Sequence, residues 1–247
     1  MLSEGQLVGK VAVVTGGSRG IGLAVAEELI SFGCDVVVSG RSADALDEAR
    51  VRLARRSSND GAGRNTALQA DVRDAGDAER IVASTVTQFG GLDILINNAG
   101  VGHFESVADQ SVEDWKQVID TNLSGVFYAC RAAIPQMRER GGGWILNISS
   151  LAGSHPFANG AAYCASKAGL DAFTTSLMQE LRFENIRVSS VAPGSVGTAF
   201  AGEGRHAAAP WKLRASDIAR VVVDLLGHDA RSLPSRVEIR PSRPRKS

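Results

Sequence analysis

The chain has 247 residues, of which 44% are hydrophobic, and its 27 basic residues balance its 27 acidic ones. This length allows one sizeable hydrophobic core, and the balanced charge gives no overall attraction to nucleic acid or to an anionic membrane. The sequence lacks a run of about 18 apolar residues, and its N-terminal stretch has no apolar signal-peptide core, so we expect no membrane association.

Three cysteines, Cys34, Cys130 and Cys164, are an odd number without the spacing of metal ligands. Reduced thiols of this kind are typical of the cytosol, so we expect a cytoplasmic protein without a metal site. Cys164 directly follows Tyr163 and therefore points elsewhere on a helix, where we expect it to pack.

The first predicted strand, Lys10 to Thr15, leads into a glycine-rich turn and then an amphipathic helix. These three elements in this order form an anion site, because the backbone can approach a pyrophosphate and the free N–H groups favour its charge. The spacing is GxxxGxG rather than the more common GxGxxG, and a glycine turn alone is often only a tight turn. The residues predicted to bind the phosphates are Gly16, Ser18, Arg19, Gly20, Ile21 and Gly22.

The second predicted strand, Asp35 to Ser39, ends at Gly40 and Arg41. Dinucleotide folds often place an acidic residue here to bind the adenosine ribose hydroxyls, whereas a nearby arginine accommodates a 2′-phosphate. Because Arg41 and Arg19 are present without a carboxylate, NADP(H) is predicted in preference to NAD(H). The alternative is that Arg41 is only a solvated surface residue.

A predicted helix from Asp44 to about Arg56 leads to the third strand, Thr66 to Ala70, which ends at Asp71 and Val72. The Asp71 carboxylate is a candidate acceptor for an adenine amino group. The alternative is that it caps the helix that starts near Asp74.

The fourth predicted strand, Leu92 to Ile96, leads into Asn97-Asn98-Ala99-Gly100. Small and amide residues at a strand end let the chain pass close under a cofactor, although this stretch is equally a good turn. His103 follows in a loop, where we expect a surface residue without a part in the chemistry.

A capping pattern at Ser111 predicts the start of a long helix that runs to about Arg138 and contains Asn122. An amide within a helix competes for backbone hydrogen bonds and supports a local kink or a bound water. The alternative is that Asn122 is a partly exposed polar residue.

Residues 144–167 form a predicted buried strand up to Ile148, a loop rich in Ser, Gly and Pro, and the start of a helix. Tyr163 and Lys167 are four residues apart, so they share one helix face. Ser150 follows the strand at its carboxyl end, where open parallel sheets bind ligands. A phenol, an ammonium and a hydroxyl at this place form a candidate acid/base site.

A free tyrosine has a pKa near ~10, so a catalytic phenol needs a neighbour that favours its anion. The Lys167 ammonium and a cationic cofactor ring are expected to lower the pKa of Tyr163. Tyr163 can then protonate a carbonyl oxygen or deprotonate an alcohol, while Ser150 binds the same oxygen. The alternative is an ordinary Tyr and Lys on a half-buried helix, because YxxxK alone is a weak signal.

The sixth strand, Ile186 to Ala192, ends in a loop over residues 193–198. Residues 199–214 have no clear period and are predicted to form a mobile lid over the substrate. A helix from Ala215 to Leu226 and a strand from Ser235 to Ile239 follow. We predict one doubly wound α/β domain over residues 1–240, with about seven parallel strands and helices on both faces, and a flexible basic tail over residues 241–247.

Together these residues resemble the short-chain dehydrogenase/reductase family, which has a Rossmann-type fold. Each motif is weak alone, but seven occur in order over nearly the whole chain. They are TGGSRGIG at 15–22, DV at 71–72, NNAG at 97–100, Asn122, the serine of ISSLAG, YCASK at 163–167 and PGSVGT at 193–198.

The resemblance implies a catalytic tetrad of Asn122, Ser150, Tyr163 and Lys167, with Ser150 chosen over Ser149 because it lies thirteen residues before Tyr163. It implies that Lys167 also binds the nicotinamide ribose and that Asn122 holds a water in a proton relay. Val196 and Thr198 would meet the nicotinamide carboxamide. The further implied cofactor contacts are Asp71, Val72, Asn98, Ala99, Gly100, Tyr163, Pro193 and Gly194.

The implied activity is NADPH-dependent interconversion of a carbonyl compound and a secondary alcohol, both small molecules. The implied assembly is a homodimer or homotetramer built on the helices near 111–138 and 161–183. The family's common Asp-Gly-Gly ending is replaced here by Arg-Val-Glu-Ile-Arg-Pro from residue 236, which leaves a second oligomer interface open.

Within the family, the chain is most similar to the 3-oxoacyl-carrier-protein reductases, whose basic docking positions fall near Gly141 and Glu184. Arg140 and Arg182 are the candidates to substitute there. The alternatives are an NAD-linked alcohol dehydrogenase of the same family and a non-catalytic dinucleotide-binding regulator. Such a regulator would be expected to lose Tyr163 or Lys167, and this chain keeps both.

Overall fold

The computed structural model describes residues 7–57, 61–200 and 209–244, in which strands and helices alternate. The strands are β1 (Val11–Thr15), β2 (Asp35–Gly40), β3 (Asn65–Gln69), β4 (Ile94–Asn97), β5 (Gly143–Ile148), β6 (Ile186–Pro193) and β7 (Arg236–Ile239). The helices are α1 (Gly20–Ser31), α2 (Ala43–Ser57), α3 (Ala75–Phe89), α4 (Val112–Ile119), α5 (Gly125–Glu139), α6 (Ala161–Leu181) and α7 (Ala215–Leu226).

All seven strands are parallel and form one sheet in the order β3-β2-β1-β4-β5-β6-β7. This confirms the predicted doubly wound fold. The strand order reverses between β1 and β4, and the crevice at the carboxyl ends of these two strands is where open α/β sheets bind ligands. The sheet therefore fixes the place of a functional site before any side chain is considered.

Helices cover both faces of the sheet, which explains why the central strands are continuous apolar runs rather than alternating ones. Val36 and Val38 of β2 belong to the core cluster that also contains residues of α1, α2 and α7, whereas Val37 belongs to the cluster on the other face with residues of α3, α5 and α6. Successive strand residues point to opposite faces, so the two cores share every central strand.

The predicted strands lie within two residues of the observed ones, and the predicted helix from Ala215 to Leu226 coincides with α7. The predicted long helix up to Arg138 is wrong in one respect. It is divided into α4 and α5 by a π-helical turn, Asp120–Ser124, which contains Asn122. This local distortion agrees with the expectation of a kink, and the alternative of a partly exposed Asn122 is wrong because the residue is fully buried.

Two predictions fall partly outside the described residues. Residues 201–208 of the predicted lid and 245–247 of the predicted tail lie there, so the lid and the flexible tail stay predictions. The domain boundary at residue 240 also stays a prediction. Within the part of the chain that the structure describes, no helix is both long enough and apolar enough to cross a membrane.

The predicted homo-oligomer also stays a prediction. Exposed aromatic side chains lie on the helices expected to form its interface, namely Trp115 on α4 and Phe127 on α5. The Phe127 ring contacts the ring of Phe173 on α6, with 6.5 Å between centroids, so these two helices share an aromatic surface.

Asp93 joins several segments at the opposite edge of the sheet, where the strands begin. Its buried carboxylate accepts hydrogen bonds from the Val11 amide at 3.0 Å and from Lys10 Nζ at 3.1 Å. It also forms a salt bridge with Arg140 at 3.0 Å. Arg140 is thus paired with Asp93 at the edge of the sheet far from the crevice. The expectation that Arg140 and Arg182 dock a carrier protein stays a prediction.

We expect Asp93→Ala to lower the free energy of unfolding by about 3 kcal/mol, because it leaves a buried amide without an acceptor and a guanidinium without its partner. Urea denaturation of the ligand-free protein measures this change. Asp47→Ala is the control, because Asp47 is 75% exposed and its contact with Arg50 is 3.7 Å. It should cost under about 0.5 kcal/mol, and equal effects of the two variants would refute a structural role for Asp93.

Candidate active site

A cavity of about 1400 Å³ lies at the carboxyl ends of the strands. Its wall includes residues that follow β1, β2, β3, β4, β5 and β6, so it occupies the crevice expected from the strand order. Small-molecule sites usually measure about 300–1,000 Å³. The cavity is therefore large enough for a dinucleotide together with a second molecule.

The glycine turn after β1 forms one side of the cavity. Gly16 and Gly20 have φ values of +63° and +57°, a left-handed conformation that favours glycine. Helix α1 begins at Gly20 without a side-chain cap, so its first N–H groups are available to an anion. The residues of the turn that line the cavity are Gly16, Ser18, Arg19, Gly20 and Ile21.

Gly22 does not line the cavity, although the sequence predicts cofactor contact there. It is buried, and a Cβ at this position would lie 2.4 Å from Asn98 Nδ2 and 2.5 Å from the Gly16 oxygen. Asn98 Nδ2 donates to the Thr15 and Gly16 oxygens at 3.1 and 3.0 Å, so it ties the end of β4 to the glycine turn. The lack of a side chain at Gly22 therefore leaves room for these two hydrogen bonds of Asn98.

The chain after β4 passes close to the glycine turn, as the small residues of this stretch predict. The Cα of Ala99 would lie only 2.8 Å from a Cβ at Gly16. Thr15 Oγ1 accepts hydrogen bonds from the amides of Asn98 and Ala99 at 3.1 and 3.2 Å. Asn98, Ala99 and Gly100 all line the cavity.

Arg41 is exposed and lines the cavity at the end of β2, beside Gly40 and Ser42. Ser18 of the glycine turn approaches this strand end, because its Oγ would lie 3.3 Å from a Cβ at Gly40. The strand end thus has a cation and hydroxyl groups, and no carboxylate follows β2 directly. These are suitable groups for binding a phosphate.

Asp71 and Val72 line the cavity after β3. Asp74, not Asp71, caps α3 by accepting from the amides of Gly76 and Asp77, so the capping alternative for Asp71 is wrong. Asp71 instead accepts hydrogen bonds from the guanidinium of Arg73, which lower the pKa of its carboxyl below the usual value. The carboxylate is therefore ionised and already paired.

Tyr163 lies in the first turn of α6 and lines the cavity together with Ser150. Ser150 Oγ accepts from the Ala152 amide at 3.2 Å. Burial raises the pKa of the Tyr163 hydroxyl, and the hydrogen bond with Ser150 opposes that rise. The expectation of a lowered pKa for Tyr163 is wrong for the chain without ligands, because burial outweighs the hydrogen bond with Ser150.

Lys167 is 5% exposed, and its Nζ donates to the Ile148 carbonyl at 2.8 Å. Burial lowers the pKa of Lys167 to about 8, while the Asp171 carboxylate acts in the opposite direction. The Nζ atom lies 5.9 Å from the centroid of the Tyr163 ring. Lys167 is thus a cation only in part at a slightly alkaline pH, which weakens its influence on the phenol.

Asn122 is not part of the cavity wall. Its side chain forms two hydrogen bonds with the backbone of Val101, each at 2.9 Å. Oδ1 accepts from the Val101 amide, and Nδ2 donates to the Val101 carbonyl. Nδ2 also donates to Ser166 Oγ at 3.0 Å, and that hydroxyl donates to the Tyr163 carbonyl at 2.7 Å. The side chain of Asn122 therefore acts through other residues and positions the loop after β4 against α6.

Pro193 at the end of β6 lines the cavity, as do Gly194, Val196 and Thr198 in the loop that follows. Val196 pairs with Leu213 in an isolated parallel bridge, which brings the end of the 199–214 segment back to the cavity. A Cβ at Gly194 would lie 3.0 Å from the Pro241 ring. The segment after β7 thus contacts the same loop.

Sequence reasoning missed several residues of the wall. Arg240, Pro241 and Pro244 come from the segment after β7, and Phe157 comes from the loop after β5. Trp211 also lines the cavity and belongs to the segment 199–214 that is predicted to cover the substrate. The position of Phe157 between Ser150 and Tyr163 is a signal that could have found it. His103 also lines the cavity, and its Nδ1 lies 3.5 Å from Oδ1 of Asp114.

Comparison with known proteins agrees with this geometry. A family model described as short chain dehydrogenase matches residues 10–209. Trans-4-hydroxycyclohexanecarboxylate dehydrogenase of Sinomonas cyclohexanicum is 41% identical over 194 residues, which cover 76% of this chain and 73% of that protein.

Two solved structures extend the similarity. A metagenomic short-chain oxidoreductase in complex with NADP has 37% identity and a TM-score of 0.83, covering 96% of this chain and 99% of that one. A variant of actinorhodin polyketide ketoreductase with NADPH has 31% identity and a TM-score of 0.86, covering 94% and 96%.

The pKa of Lys167 provides a test of the site's electrostatics. We expect Asp171→Asn to lower this pKa below its value of about 8, because the variant removes an anion and leaves the guanidinium of Arg236 nearby. The ammonium fraction at neutral pH should fall accordingly. Heteronuclear NMR titration of the lysine side chains, assigned with Lys167→Met, measures the change.

Asp224→Asn is the control for this titration, because Asp224 is exposed on α7, which packs on the opposite face of the sheet from α6. It should leave the pKa of Lys167 where it is. A pKa that stays constant or rises in Asp171→Asn would contradict the assigned role of Asp171.

Proposed function

This chain belongs to the short-chain dehydrogenase family, and from that premise we propose that it interconverts a carbonyl compound and a secondary alcohol with NADP(H). As a member of that family it is an oxidoreductase that acts on CH–OH and C=O groups. One observation carries the proposal: Tyr163, Ser150 and Lys167 meet in the same cavity as an uncapped helix N-terminus behind a glycine turn.

The residues present fit a dinucleotide. The glycine turn and the first amides of α1 would hold the pyrophosphate, and the loop after β4 would lie beneath the cofactor. The loop after β6, with Val196 and Thr198, would meet the nicotinamide carboxamide. When bound, the nicotinamide cofactor supplies the hydride chemistry, and the protein supplies binding and orientation.

We assign the proton transfer to Tyr163. Its hydroxyl would donate a proton to the carbonyl oxygen during reduction and accept one from the alcohol during oxidation. Ser150, which already hydrogen-bonds the phenol, would bind the same substrate oxygen. Because the unliganded site keeps the phenol protonated, it is prepared for the donor role in reduction.

Lys167 would support the phenol in two ways. Its ammonium favours the phenolate that remains after proton donation, and its Nζ would bind the ribose hydroxyls of the nicotinamide nucleotide. Asn122 is a positioning residue in this scheme, because its side chain is bonded to the backbone of Val101 and to Ser166.

The preference for NADP(H) rests on Arg41 and Arg19. Both are exposed and line the cavity on the side of the glycine turn, and the one carboxylate among the described wall residues, Asp71, is paired with Arg73. Guanidinium groups bind a 2′-phosphate through charge-assisted hydrogen bonds. The two solved relatives named above carry NADP and NADPH, which supports the same choice.

Tyr163→Phe tests the proton transfer. We expect NADPH oxidation with ketone substrates to slow by at least about a hundredfold, because the general acid is lost, while NADPH still binds. Stopped-flow absorbance measures the rate and cofactor fluorescence the binding. The chain's other tyrosine, Tyr128, lies on α5 outside the cavity, so Tyr128→Phe should react at the normal rate.

Undiminished turnover in Tyr163→Phe would refute this role of the phenol. Binding of NADPH by the unaltered protein without turnover on any carbonyl compound would instead favour the non-catalytic regulator.

Arg41→Ala tests the cofactor assignment. The Kd for NADPH should rise about tenfold to a hundredfold, because a charge-assisted phosphate contact is lost, and the Kd for NADH should change little. Isothermal titration calorimetry measures both. Arg50→Ala, a matched loss of an exposed arginine on the neighbouring helix α2, is the control. An unchanged ratio of the two dissociation constants in Arg41→Ala would favour the NAD-linked alternative.

A further inference from the structure

Three phenylalanines from three different loops gather beside Tyr163. The Phe104 ring meets the Tyr163 ring edge-on at 5.6 Å between centroids, and Phe200 lies 5.6 Å from Tyr163 on a tilted plane. Phe157 lies 5.9 Å from Phe104. We call Phe104, Phe157 and Phe200 the phenylalanine cluster.

The cluster is not part of either hydrophobic core. Its members are 38%, 50% and 37% exposed, and all three line the cavity. A large apolar side chain that stays accessible costs free energy unless a ligand or partner covers it, and contiguous apolar surface inside a concave site marks binding. The open faces of these rings are therefore a candidate substrate surface.

Two glycines allow the rings to occupy these positions. A Cβ at Gly102 would lie 2.8 Å from the Phe104 ring and 3.1 Å from the Phe200 ring. A Cβ at Gly160 would lie 2.6 Å from the Phe157 ring. Any side chain at either position would push the rings away, so the backbone is built to place them close together near the phenol.

The charges around the cluster select the kind of ligand. Aromatic faces also attract cations, but the Lys167 ammonium lies 5.9 Å from the Tyr163 ring centroid and would repel a cationic substrate. Among the described residues of the cavity wall, the only carboxylate is Asp71, which is paired with Arg73. The rings themselves can hold an apolar part of a substrate.

We propose that the substrate carries its carbonyl or secondary alcohol on a bulky apolar ring, aromatic or alicyclic, which packs against the phenylalanine cluster. This substrate class rests on the proposed oxidoreductase function. A ring bound there would present its oxygen to Tyr163 and Ser150, because Phe104 and Phe200 contact the ring of that same tyrosine. A linear 3-oxoacyl thioester would leave much of the aromatic surface uncovered.

Steady-state reduction of matched ketones tests the proposal. Cyclohexanone and 2-hexanone have the same number of carbon atoms and differ in the ring, and acetoacetyl thioester represents the linear carrier-bound class. We expect a kcat/KM for cyclohexanone at least about tenfold above that for 2-hexanone. Phe157→Ala should reduce this ratio about tenfold, mainly through KM, because one face of the ring site is removed.

Phe183→Ala is the control, since Phe183 is 89% exposed and does not line the cavity. In Phe183→Ala, the ratio of kcat/KM for cyclohexanone to kcat/KM for 2-hexanone should equal that of the unaltered protein. Equal kcat/KM values for the ring and linear ketones, or a ratio that Phe157→Ala leaves unchanged, would overturn the proposal while the oxidoreductase function stands.

A binding measurement distinguishes a failure of the proposed substrate class from a failure of the proposed oxidoreductase function. Saturation-transfer NMR of cyclohexanol with the NADPH complex reports occupancy without turnover, because the reduced cofactor cannot accept a hydride from the alcohol. Binding of cyclohexanol that Phe157→Ala weakens, with no reduction of any ketone, would retain the ring site and refute the proposed reaction. Reduction of acetoacetyl thioester with no detectable binding of cyclohexanol would retain the reaction and refute the ring site.

Discussion

The buried ammonium of Lys167 is the constraint on which the site depends. A charged lysine shielded from water is costly unless it is hydrogen-bonded, and here its Nζ donates to the Ile148 carbonyl at 2.8 Å. Because Ile148 ends β5 and Lys167 lies near the start of α6, this one bond holds the helix at the end of the strand. It also places Tyr163, one turn earlier, in the cavity wall. The same burial lowers the pKa of Lys167 to about 8, so the charge of this group depends on what else lies in the cavity.

Uncharged polar side chains hold the loops around this centre. Asn122, in the π-helical turn, joins the backbone after β4 to Ser166, whose hydroxyl bonds the Tyr163 carbonyl. A second chain of neutral bonds links β4, β5 and α6 through Asn97, Asn147 and Thr174. Neutral hydrogen bonds fix positions without adding charge, which leaves the electrostatics of the phenol to burial, Lys167 and the ligands. The two tasks of holding the site and setting its pKa values are therefore carried by different residues.

The two ends of the cavity differ in the chemical groups that they present. The side of the glycine turn and β2 presents Arg19, Arg41 and the free amides of a helix, which suits phosphate. The side of Tyr163 presents aromatic rings, which suits an apolar group. The phosphates of a cofactor and the apolar part of a substrate would thus bind at different ends of one cavity.

Local pattern in the sequence determined the alternation of strands and helices, the glycine turn and the shared helix face of Tyr163 and Lys167, because periodicity and turn chemistry act over a few residues. It could not determine that Gly22 and Asn122 stand behind the wall, since their contacts with Asn98 and Val101 join distant segments. Nor could it determine that Phe104, Phe157 and Phe200 pack together beside Tyr163, because contacts between separate loops depend on the whole fold. The tertiary structure alone decided the pKa values of the phenol and the ammonium, because these depend on burial by the whole fold and not on the spacing between the two residues.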